Sequence, residues 1–464
     1  MGVKKGQELT VEVTDLALGG RGLVRVDGMA VFVDQAVPGD RVLARVVRKK
    51  RRYAEARTIE VLEPSADRVK APCPYSGTCG GCKWQFLSYD RQLAYKRQQV
   101  SGALRHIGLM DGVPVHTTLP SERIFGYRNK MEFSCSDRRW LLREELENKE
   151  ISRDFALGLH VPGTFHKVLD TRACLLQPEA GNRILDNVRE KMKTSGLPPY
   201  GLRSHEGFWR FLVLRHSVAK DRWLVNLVTA GEETGVLTTM AGELMEEHSE
   251  IVAVVNNVTA RKAAVAFGEY EVPLAGANCL VDRIGRHHFG ISANSFFQTN
   301  TRGAERLYGV VRDYAALKGT ETVFDLYSGI GTIAIHLAEA CRRVVGLEIV
   351  ESAVSDAGDN CRRNGIDNCR FVQGDIAESL SGIRERPDLL VIDPPRAGMH
   401  KKVLRLILEL NVDRIVYVSC NPGTLARDLG VLAEQYAVRE VQPVDMFPHT
   451  YHIEAVARLE RRRG

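Results

Sequence analysis

The sequence predicts a multidomain protein: a small N-terminal β-barrel, an α+β middle part and a doubly wound α/β domain at the carboxyl end. Three observations carry that prediction. From about residue 286, segments that read as strands alternate with helical ones, the pattern of a mainly parallel sheet covered by helices. Up to residue 62, short alternating runs are broken at Gly19-Gly20, Asp27-Gly28 and Pro38-Gly39-Asp40, with no helical spacing between them. The chain of 464 residues is long for one domain, and at roughly 150 residues per domain it suggests three. We therefore expect domains at 1–62, 63–285 and 286–464.

Composition narrows the class. Hydrophobic residues make up 44% and charged residues 26%, which excludes wholesale disorder. No apolar run reaches the roughly 18 residues needed to span a bilayer, and MGVKKGQELT lacks the apolar core of a secretory signal. The expectation is a cytoplasmic monomer without membrane association. The net charge of +6 is mild, so any acidic partner must be sought in local patches.

Residues 1–62 hold twelve Lys/Arg against eight Asp/Glu. Asp27-Gly28, between RGLVRV and MAVFVD, is a two-residue hairpin signal, because both central positions of that turn need positive φ. About five short strands fit an oligonucleotide-binding type of barrel. Arg48, Lys49, Lys50, Arg51 and Arg52 run into Tyr53. Such a run is either a solvated strand end or a set of phosphate contacts beside a ring on which a base can stack.

Residues 63–285 open with a stretch rich in Pro and Cys. SYDRQLAYKRQQVSGALRHIG has helical spacing, with Leu93, Val100 and Leu104 on one side and basic residues elsewhere. RFLVLRH, DRWLVNLVTA and EIVAVVNNVT read as strands. Cys73, Cys79 and Cys82, spaced x5 and x2, form a cysteine constellation with Cys174. Four thiolates favour a metal site in a reducing compartment, and both tetrahedral zinc and an iron–sulfur cluster accept four sulfurs. Cys135, Cys279, Cys341, Cys361 and Cys369 have no such context.

In the last segment TVFDLY, RRVVGLE, CRFVQGD, DLLVID, RIVYVSC, REVQPVD and IEAVARLE read as strands. The final two lack a clear helix between them, so that end should be a hairpin with one antiparallel strand. The loop from Tyr327 through Gly329 and Gly331 to Thr332 sits at a strand-to-helix turn, where glycines let backbone approach a ligand. Glu348 closes the next strand, where a carboxylate can accept from ribose hydroxyls. Asp375 and Asp393 close the third and fourth. Three carboxylates at consecutive strand ends either line a ligand crevice or cap the helices that follow. The next strand ends in Ser419-Cys420-Asn421-Pro422. Cys420 is either an inert small hydrophobe or, near Arg396 and a helix start, a nucleophile.

Together these motifs resemble the RNA 5-methyluridine (uracil-C5) methyltransferases that use S-adenosylmethionine, in the iron–sulfur and TRAM-containing branch that acts mainly on 23S rRNA. The resemblance covers nearly the whole chain. GGRGLVRVDGMAVFVDQAVPGDRV resembles a TRAM domain. The carboxyl part matches through SFFQTN (Ser295 to Asn300), DLYSGIGTIAI, IDPPRAG, SCNP and the closing His452-Ile453-Glu454, and implies a class I, Rossmann-like methyltransferase domain. The family implies Cys420 as nucleophile and Glu454 as base, with His452 or His449 the competing base. It places Gln298, Tyr327, Glu348, Asp375 and Asp393 on the methyl donor. It makes Cys73, Cys79, Cys82 and Cys174 the ligands of a [4Fe–4S] cluster. Some members carry Asn where this chain has Thr332, and the amino-group methyltransferases that share Asp-Pro-Pro follow it with an aromatic where Arg396 stands here.

The implied reaction explains these residue types. C5 of uracil is a poor nucleophile until a thiolate adds to C6; the resulting enolate attacks the sulfonium methyl. A base then removes the C5 proton so that the cysteine can leave. The same chemistry on tRNA is the alternative substrate, and a non-catalytic RNA-binding protein is the alternative of another class. A cytosine-C5 enzyme would carry a cysteine within the proline motif, and a dehydrogenase would leave IDPPR and SCNP unexplained.

Overall fold

The computed structural model describes residues 2–462. Its N-terminal sheet has six strands, Glu8–Glu12, Asp15–Leu16, Gly22–Val26, Met29–Asp34, Arg41–Lys49 and Tyr53–Glu63, in the order first, fifth, sixth, fourth, third, second. That is one more than expected, because the two residues Asp15–Leu16 pair with Gly22 and Leu23. Asp27 and Gly28 have φ of 48° and 79°, the left-handed pair that a tight hairpin requires. Alternate Val and Ala side chains, among them Val31, Val33, Val42, Ala54 and Ala56, close the interior.

A second six-stranded sheet forms the middle of the molecule. Trp209–Ser217 and Arg222–Thr229 lie at its centre, flanked by Lys130–Ser136 and Ile251–Val258, with Ala156–Gly158 and Tyr270–Gly276 at the edges. Helices Glu179–Thr194 and Thr234–Glu247 cover one face, packing Ile184, Val188, Leu237 and Leu244 against Leu212, Leu214 and Val225.

The carboxyl sheet has all seven expected strands: β1 Thr322–Leu326, β2 Arg343–Glu348, β3 Cys369–Gln373, β4 Leu389–Ile392, β5 Arg414–Ser419, β6 Tyr436–Val444 and β7 Glu454–Arg461. Their order is β3-β2-β1-β4-β5-β7-β6. Pairing is parallel from β3 to β5, while β7 runs antiparallel to both β5 and β6. The order reverses between β1 and β4, and in open α/β sheets ligands bind outside the carboxyl ends of the strands at such a reversal.

Two features depart from the expected layout. The boundary at 285/286 falls in the turn of a hairpin, Leu280–Ile284 with His287–Ile291. Leu280, Phe289 and Ile291 share a core with Leu307 and Val323 of the carboxyl domain and with Leu224, Ala253 and Val255 of the middle sheet, so this hairpin bridges the two. The helix Tyr89–His106 likewise buries Val100, Ala103 and Leu104 beside Tyr417, Leu425 and Leu429 of the carboxyl domain. Its basic residues are not all outward as expected: Lys96 lies on the buried face and Leu93 is only half-buried. Among the described residues no helix is long and apolar enough to cross a membrane.

Candidate active site at the strand ends

The loop after β1 turns sharply. Tyr327, Gly329 and Gly331 have φ of 68°, 52° and 81°, and Gly331 opens helix Thr332–Ala338. A Cβ on Gly331 would come 2.8 Å from the Phe371 ring, so the close packing of loop against β3 requires glycine. Glu348 pins this turn: Oε2 accepts from the Gly329 amide at 2.9 Å, and Oε1 accepts from the Val350 amide at 2.9 Å.

The three strand-end carboxylates do not play one part. Asp375 caps helix Ile376–Gly382, accepting from Ala377 and Glu378 amides. Glu348 and Asp393 cap no helix. Asp393 is half-buried, and burial pushes its carboxyl up to about 6. Gln298 lies in the segment before helix Thr301–Ala315, its carbonyl accepting from Asn129 Nδ2 at 2.8 Å. Thr332 Oγ1 is 3.1 Å from Tyr308 Oη. Phe296, near Gln298 in the chain, presents an exposed ring.

Sequence reading missed two groups here. Asp325 on β1 is enclosed, with neither carboxylate oxygen hydrogen-bonded; burial, with Asp393 and Glu348 adding, holds its carboxyl well above the usual range. Ser328 Oγ in the following turn is also buried and unpartnered. A charge within the apolar run TVFDL was the available signal. These orphaned polar atoms, beside a glycine turn and the Glu348 and Asp393 carboxylates, fit a polar ligand seated at the strand ends.

Cys420 follows β5 and Glu454 opens β7, and Ser419 pairs with Ala455 across those strands. Burial pushes the Cys420 thiol up to about 11, with Glu454 and Asp393 adding, while Arg396 draws it down. Glu454 is 5% exposed. Burial and then Asp393 raise its carboxyl well above the usual range, opposed by Arg396 and Lys96. Burial lowers His452 and His449 to about 4. His449 stacks on Phe125 at 4.3 Å. The arrangement brings a thiol, a carboxyl and a guanidinium to the same end of adjacent strands, the set needed for nucleophilic addition followed by proton removal.

Cys73, Cys79, Cys82 and Cys174 line a single cavity with Arg128, Met131 and Leu176. Cys79 Sγ accepts from the Gly81 amide at 3.3 Å, and Cys82 Sγ from Gln85 Nε2 at 3.2 Å. Among the described residues no three His, Cys, Asp or Glu side chains converge as a single metal ion requires, so the expected metal centre is not shown.

Residues 281–462 match the family described as tRNA (Uracil-5-)-methyltransferase, and residues 2–59 match the TRAM domain. An RNA methyltransferase of Chlorobaculum tepidum, named as uncharacterized, is 44% identical, with 99% of this chain and 97% of that protein covered. One from Halalkalibacterium halodurans is 38% identical over 99% and 98%. The chain belongs to the RNA uracil-C5 methyltransferase family. The first sheet of this methyltransferase is its TRAM domain, and the third has the S-adenosylmethionine-dependent fold. The crystal structure of Pyrococcus abyssi tRNA (uracil-54, C5)-methyltransferase in complex with S-adenosyl-L-homocysteine superposes on the methyltransferase with a TM-score of 0.76. It is 27% identical, with 97% of this chain and 100% of that chain covered.

Proposed function

We propose that this enzyme transfers the methyl group of S-adenosylmethionine to C5 of a uridine in 23S rRNA, through a covalent bond between Cys420 and C6. The observation that carries this reading is the meeting of Cys420, Glu454, Asp393 and Arg396 at the ends of three adjacent strands.

Cys420 is the nucleophile. Its thiol, raised by burial, gives up its proton to solvent water as the nucleophile forms, and Arg396 stabilises the resulting thiolate. Addition to C6 gives an enolate, C5 takes the methyl, and S-adenosylhomocysteine leaves. Glu454 then takes the C5 proton, the double bond re-forms and the sulfur departs. Burial makes the Glu454 carboxylate a stronger base, and Arg396 and Lys96 favour the ionised form that must be present to take the proton. The donor lies over the Gly329–Gly331 turn, with Glu348 at the ribose, Asp375 and Asp393 at neighbouring strand ends, and Gln298 and Tyr327 as further contacts.

The four cysteines would hold a [4Fe–4S] cluster. Four sulfurs around one cavity, two already accepting N–H groups, and Arg128 to offset negative charge suit that group better than zinc. The cluster would supply a rigid cross-link, since methyl transfer moves no electron.

The alternative substrate is tRNA, favoured by the Pyrococcus likeness. Mapping 5-methyluridine in rRNA and tRNA from cells with and without the gene separates the two. Loss of a 23S position is expected; loss from tRNA alone overturns the rRNA assignment, and no loss from either overturns the function.

A further inference from the structure

Lys96 lies on the helix Tyr89–His106, more than 300 residues before β7, yet it is fully enclosed. Its Nζ donates to Asp445 Oδ1 at 2.6 Å and to the Phe447 carbonyl at 3.1 Å. The Trp84 ring centroid is 5.9 Å away. Asp445 is equally enclosed, and its Oδ1 also accepts from the Phe447 amide. One ammonium therefore fixes the start of the segment 445–453, whose other end delivers Glu454.

Packing alone does not account for this pair. A buried ion pair costs desolvation on both sides, and apolar residues of similar volume commonly serve the fold as well or better. Tyr95, Val100 and Leu104 on the same face show that the helix can dock through apolar contact. What the pair adds is a directional anchor on the segment leading into β7, and an ammonium that Asp445 supports against the burial that draws its pKa down.

We propose that Lys96 is a positioning residue for proton removal: anchored on Asp445 and on the Phe447 carbonyl, it fixes the segment that leads into β7 and so sets the Glu454 carboxyl for the C5 proton. The proposal rests on Glu454 being the base. In the step concerned, the C5 proton passes to the Glu454 carboxylate, the C5–H pair becomes the C5=C6 bond, and the C6–S pair leaves with Cys420. Glu454 must begin that step ionised. From the turn after β4, Asp393 opposes ionisation and Arg396 favours it; Lys96 favours it from the helix; Cys420 and Tyr308 face the same carboxyl from β5 and from Thr301–Ala315. Lys96 itself faces Asp445, Glu454, His449 and His452. Arg396 is exposed and half committed to His452, which leaves Lys96 as the enclosed cation.

The test compares wild type with Lys96→Arg and with Lys96→Met/Asp445→Asn, which removes both charges and strands neither. Glu454 is titrated without RNA by infrared difference spectroscopy, its band assigned with Glu454→Gln. The midpoint should rise in the double variant and stay in place in Lys96→Arg. In parallel, the double variant should accumulate covalent adduct with uridine RNA at neutral pH and clear it as pH is raised. An unchanged midpoint overturns the proposal, including the case in which activity falls for structural reasons alone. Failure of the base assignment has a separate sign: Glu454→Gln would turn over normally while the midpoint still reported on Lys96.

Discussion

Nη2 of Arg396 lies 3.3 Å from Nδ1 of His452, so a cation already engages the imidazole lone pair. Burial, with that guanidinium adding, lowers the imidazole to about 4 and makes His452 a poor proton acceptor. Glu454→Gln should therefore trap the adduct with ordinary uridine RNA, whereas His452→Ala should still release product. Denaturing gels of enzyme with labelled RNA check this; trapping in His452→Ala and turnover in Glu454→Gln would reverse the assignment.

Cys420→Ala should lower methyl transfer by ~10⁴-fold or more while binding of S-adenosylmethionine stays near normal, because the donor turn lies on β1 and β2. With 5-fluorouridine RNA the wild type should form a stable adduct, since fluorine at C5 cannot leave as a cation. An adduct formed equally by Cys420→Ala would remove Cys420 from the mechanism.

The thiol of Cys420, pushed up to about 11, should react slowly with iodoacetamide at neutral pH. Only the thiolate reacts, so the rate should climb with pH until it levels near that value. Arg396→Ala removes the group that draws the thiol down and should move the profile further upward. Mass spectrometry of the Cys420 peptide measures both; a pH-independent rate would contradict the buried thiol.

Anaerobically purified protein should contain iron and sulfide and lose both in Cys79→Ser, whose sulfur lines the four-cysteine cavity. Stoichiometric zinc without sulfide would replace the cluster by a single ion.

Lys49, Lys50, Arg51 and Arg52 are exposed at the turn between two barrel strands, while Arg48 sits 3.8 Å from Glu55. Tyr53 packs edge-on against Phe32. Charge reversal at the four free positions should weaken RNA binding and flatten its salt dependence, with Arg48→Glu adding little. Filter binding across a salt series checks the slope.

Much of this was legible in sequence because strands close in the chain pair with one another. The seven carboxyl strands, the Asp27-Gly28 turn and the SCNP and IDPPR motifs are local patterns, and each appears where its pattern places it. What escaped depends on distant partners. Nothing near Lys96 announces Asp445, 349 positions away, so an ion-paired lysine reads as a solvated one. The hairpin around Gly285 reads as part of the middle domain until its apolar face meets Leu307 and Val323. Asp375 shows the converse: it reads in sequence as a strand-end carboxylate, and only the structure shows that it also caps the helix that follows.

The segment before β7 is held almost wholly by the front of the chain. The His449 carbonyl accepts from the Lys83 and Trp84 amides, its own amide donates to Gln92, and the Trp84 indole reaches back to the Gly20 carbonyl at 3.1 Å. During synthesis the early residues wait, their partners still untranslated, and long-range closures of this kind are slow. Glu454, the proposed base, can thus take its place only once residues as far apart as Gly20 and His449 have all been made, so this corner of the site cannot assemble from the carboxyl sheet alone.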